Sequence, residues 1–135
     1  MAAESNEKLM LNWFQIQTLK CLQEQQRTGV IEKSLLLKTV ETAICKCFER
    51  ISGAKNASII FDLDTHRLVL NFESADGSLQ KFAMDEMSDG YKNTLSMIGD
   101  IAYRMAVLNP MLGEKVLEQT PGVILIDEID LHLHP

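Results

Sequence analysis

Ser58-Ile59-Ile60-Phe61-Asp62-Leu63-Asp64-Thr65-His66-Arg67-Leu68-Val69-Leu70-Asn71-Phe72 is the stretch in which the hydrophobic period of the chain changes. Before it, apolar residues recur every three or four positions. Within it, Ile59, Phe61 and Leu63, then Leu68, Leu70 and Phe72, occupy alternate positions, the period of a strand with one buried face. Asp64-Thr65-His66 between the two runs is turn chemistry, and Asp76-Gly77 makes a second turn before a short run from Leu79 to Ala83. A small antiparallel sheet is predicted. Asp62, Asp64, His66 and Glu73 superficially match a calcium loop, but Arg67 stands where such a loop needs glycine and the flanks read as strands, so a solvated hairpin turn is expected.

Toward the amino terminus, Glu4 to about Arg27 holds no Gly or Pro, and Leu9, Trp13, Ile16, Leu19 and Leu22 recur at helical spacing. This predicts a long amphipathic helix with that stripe in the core, Trp13 and Phe14 serving as core residues rather than as a partner-binding pair. Thr28-Gly29 ends it. A second helix follows with Leu36, Val40, Ala43, Cys47 and Ile51 on one face, closing near Ser52-Gly53, and two successive helices predict an α-hairpin. Beyond the sheet, a helix runs from Tyr91 to about Leu108 with Leu95, Ile98, Ala102, Met105 and Ala106 on one side, and Asn109-Pro110 stops it. A shorter helical piece is expected at Leu112 to Glu118. Pro121-Gly122 then breaks the chain before Val123-Ile124-Leu125-Ile126, an unbroken apolar run typical of a strand covered on both faces in a parallel sheet.

At 135 residues, 46% hydrophobic and 24% charged, the chain has the size and composition of one globular domain. Thirteen Lys and Arg against 19 Asp and Glu leave a net charge of −6, which argues against binding nucleic acid or anionic membrane through a chain-wide basic field. No apolar run approaches the roughly 18 to 20 residues that span a bilayer, and the polar, acidic start from Met1 to Lys8 is unlike a signal peptide. A cytoplasmic protein without a membrane partner is expected. Cys21, Cys45 and Cys47 make an odd count, and Cys45-x-Cys47 lacks the two-residue spacing of a redox or zinc motif, so reduced thiols are expected, with Cys47 a small core residue.

Two segments carry chemistry. Asp127-Glu128 closes the buried strand, where open α/β sheets place their ligand crevice; the first carboxylate there can hold Mg2+ and the second can polarise a water for attack on a phosphate. Four apolar residues followed by Asp-Glu form a Walker B pattern, whose plain alternative is an acidic strand cap. Met87-Ser88-Asp89-Gly90-Tyr91 opens the long helix, where small residues let backbone amides approach an anion and the helix dipole favours negative charge. Its plain alternative is a Ser/Asp helix cap.

In order and spacing the two together resemble ABC-type ATPases, with Met87-Ser88-Asp89-Gly90 similar to the Leu-Ser-Gly-Gly-Gln signature. Ser88-Asp89-Gly90-Tyr91-Lys92 with Val123 to Pro135 looks like the RecF/OLD-like branch of AAA ATPases, which includes anti-phage ATPases of the Septu type that work beside an HNH nuclease. The resemblance is strong from Met84 to Pro135 and extends weakly over the preceding sheet and helices. It implies an α/β fold, a partial P-loop NTPase head of ABC type, with residues 1–55 a helical-hairpin insertion and 56–135 the sheet, signature helix, Walker B strand and D-loop. It implies ATP and Mg2+ as cofactors. By position, Ser88, Asp89, Gly90 and Lys92 would face the ATP of the opposite subunit, Ser88 and Gly90 at its γ-phosphate, with Lys92 offsetting the charge of Asp89. Asp127 would serve Mg2+, Glu128 would orient or deprotonate the attacking water, and Leu131, His132 and His134 would lie in the D-loop. The implied partners are a second ATPase head in a homodimer, an HNH or Toprim nuclease, and nucleic acid through the complete protein.

The P-loop Gly-x-x-x-x-Gly-Lys-Ser/Thr occurs nowhere in these residues, nor does the switch histidine expected beyond the D-loop, so the sequence reads as a fragment of a longer ATPase. Three other readings stand beside this one: a helicase motif at Asp127-Glu128-Ile129-Asp130, a metal-dependent hydrolase site at Asp127, His132 and His134, and a non-catalytic oligomerisation module built on the amino-terminal helices.

Overall fold

The computed structural model describes residues 2–108, and side chains within them from Glu7 onward. The expected helix at Leu112 to Glu118, the strand Val123 to Ile126 and the residues Asp127, Glu128, Leu131, His132 and His134 lie outside the described residues. The order of elements is α1 (Ala2–Thr28), α2 (Leu35–Ser52), β1 (Lys55–Asp62), β2 (Arg67–Glu73), β3 (Leu79–Ala83), a single 3-10 turn at Met84–Glu86 and α3 (Asp89–Leu108). The fold is α/β, with three helices and a three-stranded antiparallel sheet in the order β1-β2-β3 among the described residues. None of these helices is long and apolar enough to cross a membrane.

Local chemistry accounts for the element ends. Ser34 caps α2 by accepting the Leu37 N–H at 3.1 Å, and Gly53, at φ 79°, closes it with its own N–H on the Glu49 carbonyl. The β1–β2 turn is built by Asp62, whose side chain accepts the Asp64 N–H at 3.0 Å and whose carbonyl accepts the His66 N–H at 2.8 Å. The Asp64 N–H, followed by the Thr65 side chain, also holds the Asp62 carboxyl below its ordinary range. The segment is therefore the solvated turn expected from its sequence, and the described residues contain no cluster of three metal-ligating side chains.

Register follows the alternation. Ile59 pairs with Leu70 and Phe61 with Leu68, placing these side chains with Phe72 on the face that joins the core. α2 lies against β1, and Phe48 meets Phe72 edge to face at 4.8 Å. α3 turns Leu95, Ile98 and Ala102 inward as its spacing predicts, while Met105 and Ala106, expected on the same side, are only half-buried.

Two expectations are corrected. The helices α1 and α2 do not form a hairpin packed on itself, because each packs chiefly on α3, which enters between them from the far end of the chain. The stripe expected to bury α1 is also displaced: Leu9, Ile16, Leu19 and Leu22 are exposed and Trp13 half-buried, while Met10 and Phe14 enter the core. The cause is close approach at Gly99 of α3, whose missing side chain leaves room for Met10 from α1 and Ile44 from α2. Phe14 follows Met10 by one helical turn and shares its face.

Candidate functional site

The segment singled out for anion binding forms the start of α3. After the 3-10 turn, whose Glu86 carboxylate accepts the Ala83 N–H at 3.0 Å, Met87 is extended at φ −84° and ψ 163°. The chain then enters a 20-residue helix at Asp89. Ser88 precedes the helix: its Oγ accepts the Tyr91 N–H at 3.3 Å and its carbonyl accepts the Lys92 N–H at 3.0 Å. Capping occupies only an acceptor position of that hydroxyl, so its proton remains available to donate outward. Capping and anion binding are thus compatible roles for one side chain.

Ser88, Asp89 and Gly90 are all exposed. Asp89, 91% exposed, pairs at 3.3 Å with Lys92, whose side chain is 22% exposed. The like charge that a carboxylate would present to an approaching anion is therefore countered one turn away. The structure thus brings together Ser88, Asp89, Gly90 and Lys92 of the residues singled out in the sequence.

Behind this segment lies a recess of about 350 Å3 walled by Phe48, Phe72, Phe82 and Tyr91, with Met87 and Ser88 at one side. Tyr91 packs its ring 6.2 Å from that of Phe48 and points its hydroxyl at the Ile51 carbonyl, 3.5 Å away near the end of α2. This aromatic support was legible only in part. Phe72 belongs to the alternating strand pattern, but nothing in residue spacing links Phe48 of α2 to the start of α3.

These elements define an α/β unit in which a long helix opens on an exposed, small-residue start beside an antiparallel sheet. No protein-family model matches the chain. Over 118 residues it is 35% identical to a protein of Escherichia coli named Retron Ec83 probable ATPase, a match covering 87% of this chain and 20% of that protein. Over 49 residues it is 47% identical to Retron Vc95 probable ATPase of Vibrio cholerae serotype O1 biovar El Tor, covering 36% of this chain and 9% of that protein. The matched stretches therefore amount to a fifth or less of those relatives' length.

Proposed function

We propose that the chain is the signature and Walker B part of an ATP-hydrolysing ATPase of ABC type, a dimerising motor in anti-phage defence or DNA repair. The observation that carries this reading is the 35% identity over 118 residues to a protein named a probable ATPase. The exposed Ser88-Asp89-Gly90 start of α3 supports it further, because a helix amino terminus with a free hydroxyl proton suits the γ-phosphate of an ATP held by a second head. Lys92 keeps Asp89 from repelling that phosphate. Asp127 would hold Mg2+ and Glu128 would orient or deprotonate the attacking water, with Leu131, His132 and His134 in the D-loop at the dimer interface. ATP supplies the phosphoanhydride bond and Mg2+ neutralises its charge. An HNH or Toprim nuclease is the partner such a motor would serve, with nucleic acid reached through the complete protein.

The test uses a longer chain that carries a P-loop. Glu128→Gln keeps the size of the side chain and removes its basicity, so ATP should bind, turnover should fall and ATP-dependent dimer should accumulate in light scattering. Ser88→Arg drives a cation into the space the partner's phosphate must enter, so turnover and dimer should both fall. Unchanged turnover in Ser88→Arg would reduce Ser88 to a helix cap and remove the signature assignment. The 135-residue chain on its own should show no micromolar ATP affinity.

A further inference from the structure

We propose that Tyr91 is a positioning residue for Ser88, its side chain holding the Ser88 hydroxyl where the γ-phosphate of the partner head's ATP must arrive. The inference rests on the ATPase reading above and adds to it a residue assigned no contact with nucleotide or metal. Among the described residues, the hydrogen bonds of exposed Ser88 run only to its own helix, from the N–H groups of Tyr91 at 3.3 Å and Lys92 at 3.0 Å. Asp89 likewise pairs within the first turn, with Lys92, and Gly90 has no side chain. The three exposed residues are therefore held from their two ends.

Before them, Glu86 accepts the Ala83 N–H at 3.0 Å and Met87 donates its N–H to the Met84 carbonyl at 3.1 Å, which ties the approach to the end of β3. After them, Tyr91 is the first residue withdrawn in part from solvent. Its ring packs on the core 6.2 Å from Phe48, and its hydroxyl lies 3.5 Å from the Ile51 carbonyl. Ile51 stands in the last turn of α2, where carbonyls have no donor within the helix, so the hydroxyl meets an acceptor otherwise left to water. Phe48 and Ile51 both belong to α2, so one side chain fastens the first turn of α3 to another helix.

The same residue donates the capping N–H to Ser88 Oγ. Its backbone sets the direction of the hydroxyl, and its side chain sets the place of that backbone. The ring also borders the recess of about 350 Å3, so it is not enclosed on all sides and the tie to α2 carries the placement. Misplacing a reacting-site group by about 1 Å can cost about a hundredfold in rate, so even partial release of this turn registers in turnover. A matched stretch of 118 residues in a chain of 135 necessarily includes the start of α3, so Tyr91 lies within the part shared with a protein named a probable ATPase.

The test uses the longer chain that carries a P-loop, with single-head ATP affinity, ATP-dependent dimer and turnover measured separately. Tyr91→Ala should lower turnover about tenfold and weaken the ATP-dependent dimer. ATP affinity, measured at a protein concentration too low for dimer, should keep its parent value, because Ser88 acts only on the partner's nucleotide. Tyr91→Phe keeps the ring and loses only the long hydroxyl bond, so it should retain at least about half of parent turnover. Because Tyr91 acts through Ser88, the double variant Ser88→Ala with Tyr91→Ala should turn over no more slowly than Ser88→Ala alone. Circular dichroism checks the fold; should Tyr91→Ala fail to fold, Tyr91→Leu must show the same split between turnover and single-head affinity. The proposal is overturned if the variant that folds turns over like the parent, if the two losses multiply in the double variant, or if single-head ATP affinity falls with turnover. Should Ser88→Arg leave turnover unchanged, the signature reading fails and this inference with it; should Ser88→Arg abolish turnover while Tyr91→Ala does not lower it, the positioning role alone fails.

Discussion

Replacing Gly99 by alanine sets two opposed effects against each other at the point where the three helices meet. Removing glycine from a helix interior should stabilise by about 0.8 to 1 kcal/mol through propensity alone. The added Cβ, however, would stand 2.9 Å from Met10 Sδ and 3.1 Å from Ile44 Cδ1. Met10 is a flexible side chain near the edge of the core and can swing aside, but Ile44 is fully buried and packed on α3. Overpacking a filled core typically costs about 1 to 3 kcal/mol, so a net loss near 1 kcal/mol is expected. Urea unfolding of the 135-residue chain, followed by far-ultraviolet circular dichroism, measures it as a lower midpoint at unchanged slope. Ile44→Val trims the methyl that meets the new Cβ, so the double variant should lose less than the sum of the two single losses, with a coupling of about 0.5 to 1 kcal/mol. If Gly99→Ala raised stability by the propensity increment, the close approach of α1 and α2 over Gly99 would be wrong, and with it the explanation of why Met10 and Phe14 enter the core.

Phe14→Ala should cost about 3 to 5 kcal/mol in the same assay, because the ring is 1% exposed, whereas Ile16→Gln, at a residue 50% exposed, should stay within about 0.5 kcal/mol; the reverse ranking would restore the stripe expected from spacing. Asp76 is held down to about 2 by hydrogen bonds from Ser74 and Ser78. Its folded value lies below the unfolded one, so its contribution to the β2–β3 turn is present above about pH 4 and is lost as pH falls through about 2. Carbon-detected titration of the Asp76 carboxyl should show that low midpoint, and a midpoint near that of a free aspartate would refute the turn geometry. Burial, reinforced by Glu41 and Glu49, pushes the Cys45 thiol up to about 12, so at pH 8 iodoacetamide should label half-buried Cys21 well before Cys45, and mass spectrometry after urea treatment should find both labelled. Equal labelling of the two in the folded chain would contradict that burial.

What could be read from the residues alone was whatever depends on near neighbours in the chain. The alternation from Ile59 to Phe72 specified β1, β2 and the face that joins the core, since a strand's side chains can only alternate; the burial of Val69 on the other face of β2 was not legible in it. Gly53 marked the end of α2, because a left-handed closing residue acts within a single turn, whereas the Ser34 cap at its start emerged only with the structure. Ser88 as the start of α3 was legible for the same reason, as was the pairing of Asp89 with Lys92 three positions on.

The buried face of α1 was decided elsewhere. Leu9, Met10, Leu11, Trp13 and Phe14 surround much of that helix with apolar groups, so spacing identifies several stripes that could be buried and cannot choose among them. The choice is made by Gly99, some ninety residues away, whose bare backbone admits Met10 and turns Phe14 inward. The same long-range packing puts α3 between α1 and α2, and sets Tyr91 of α3 against Phe48 of α2. Local periodicity states which side chains share a face; only the close approach of distant elements determines which face loses its water.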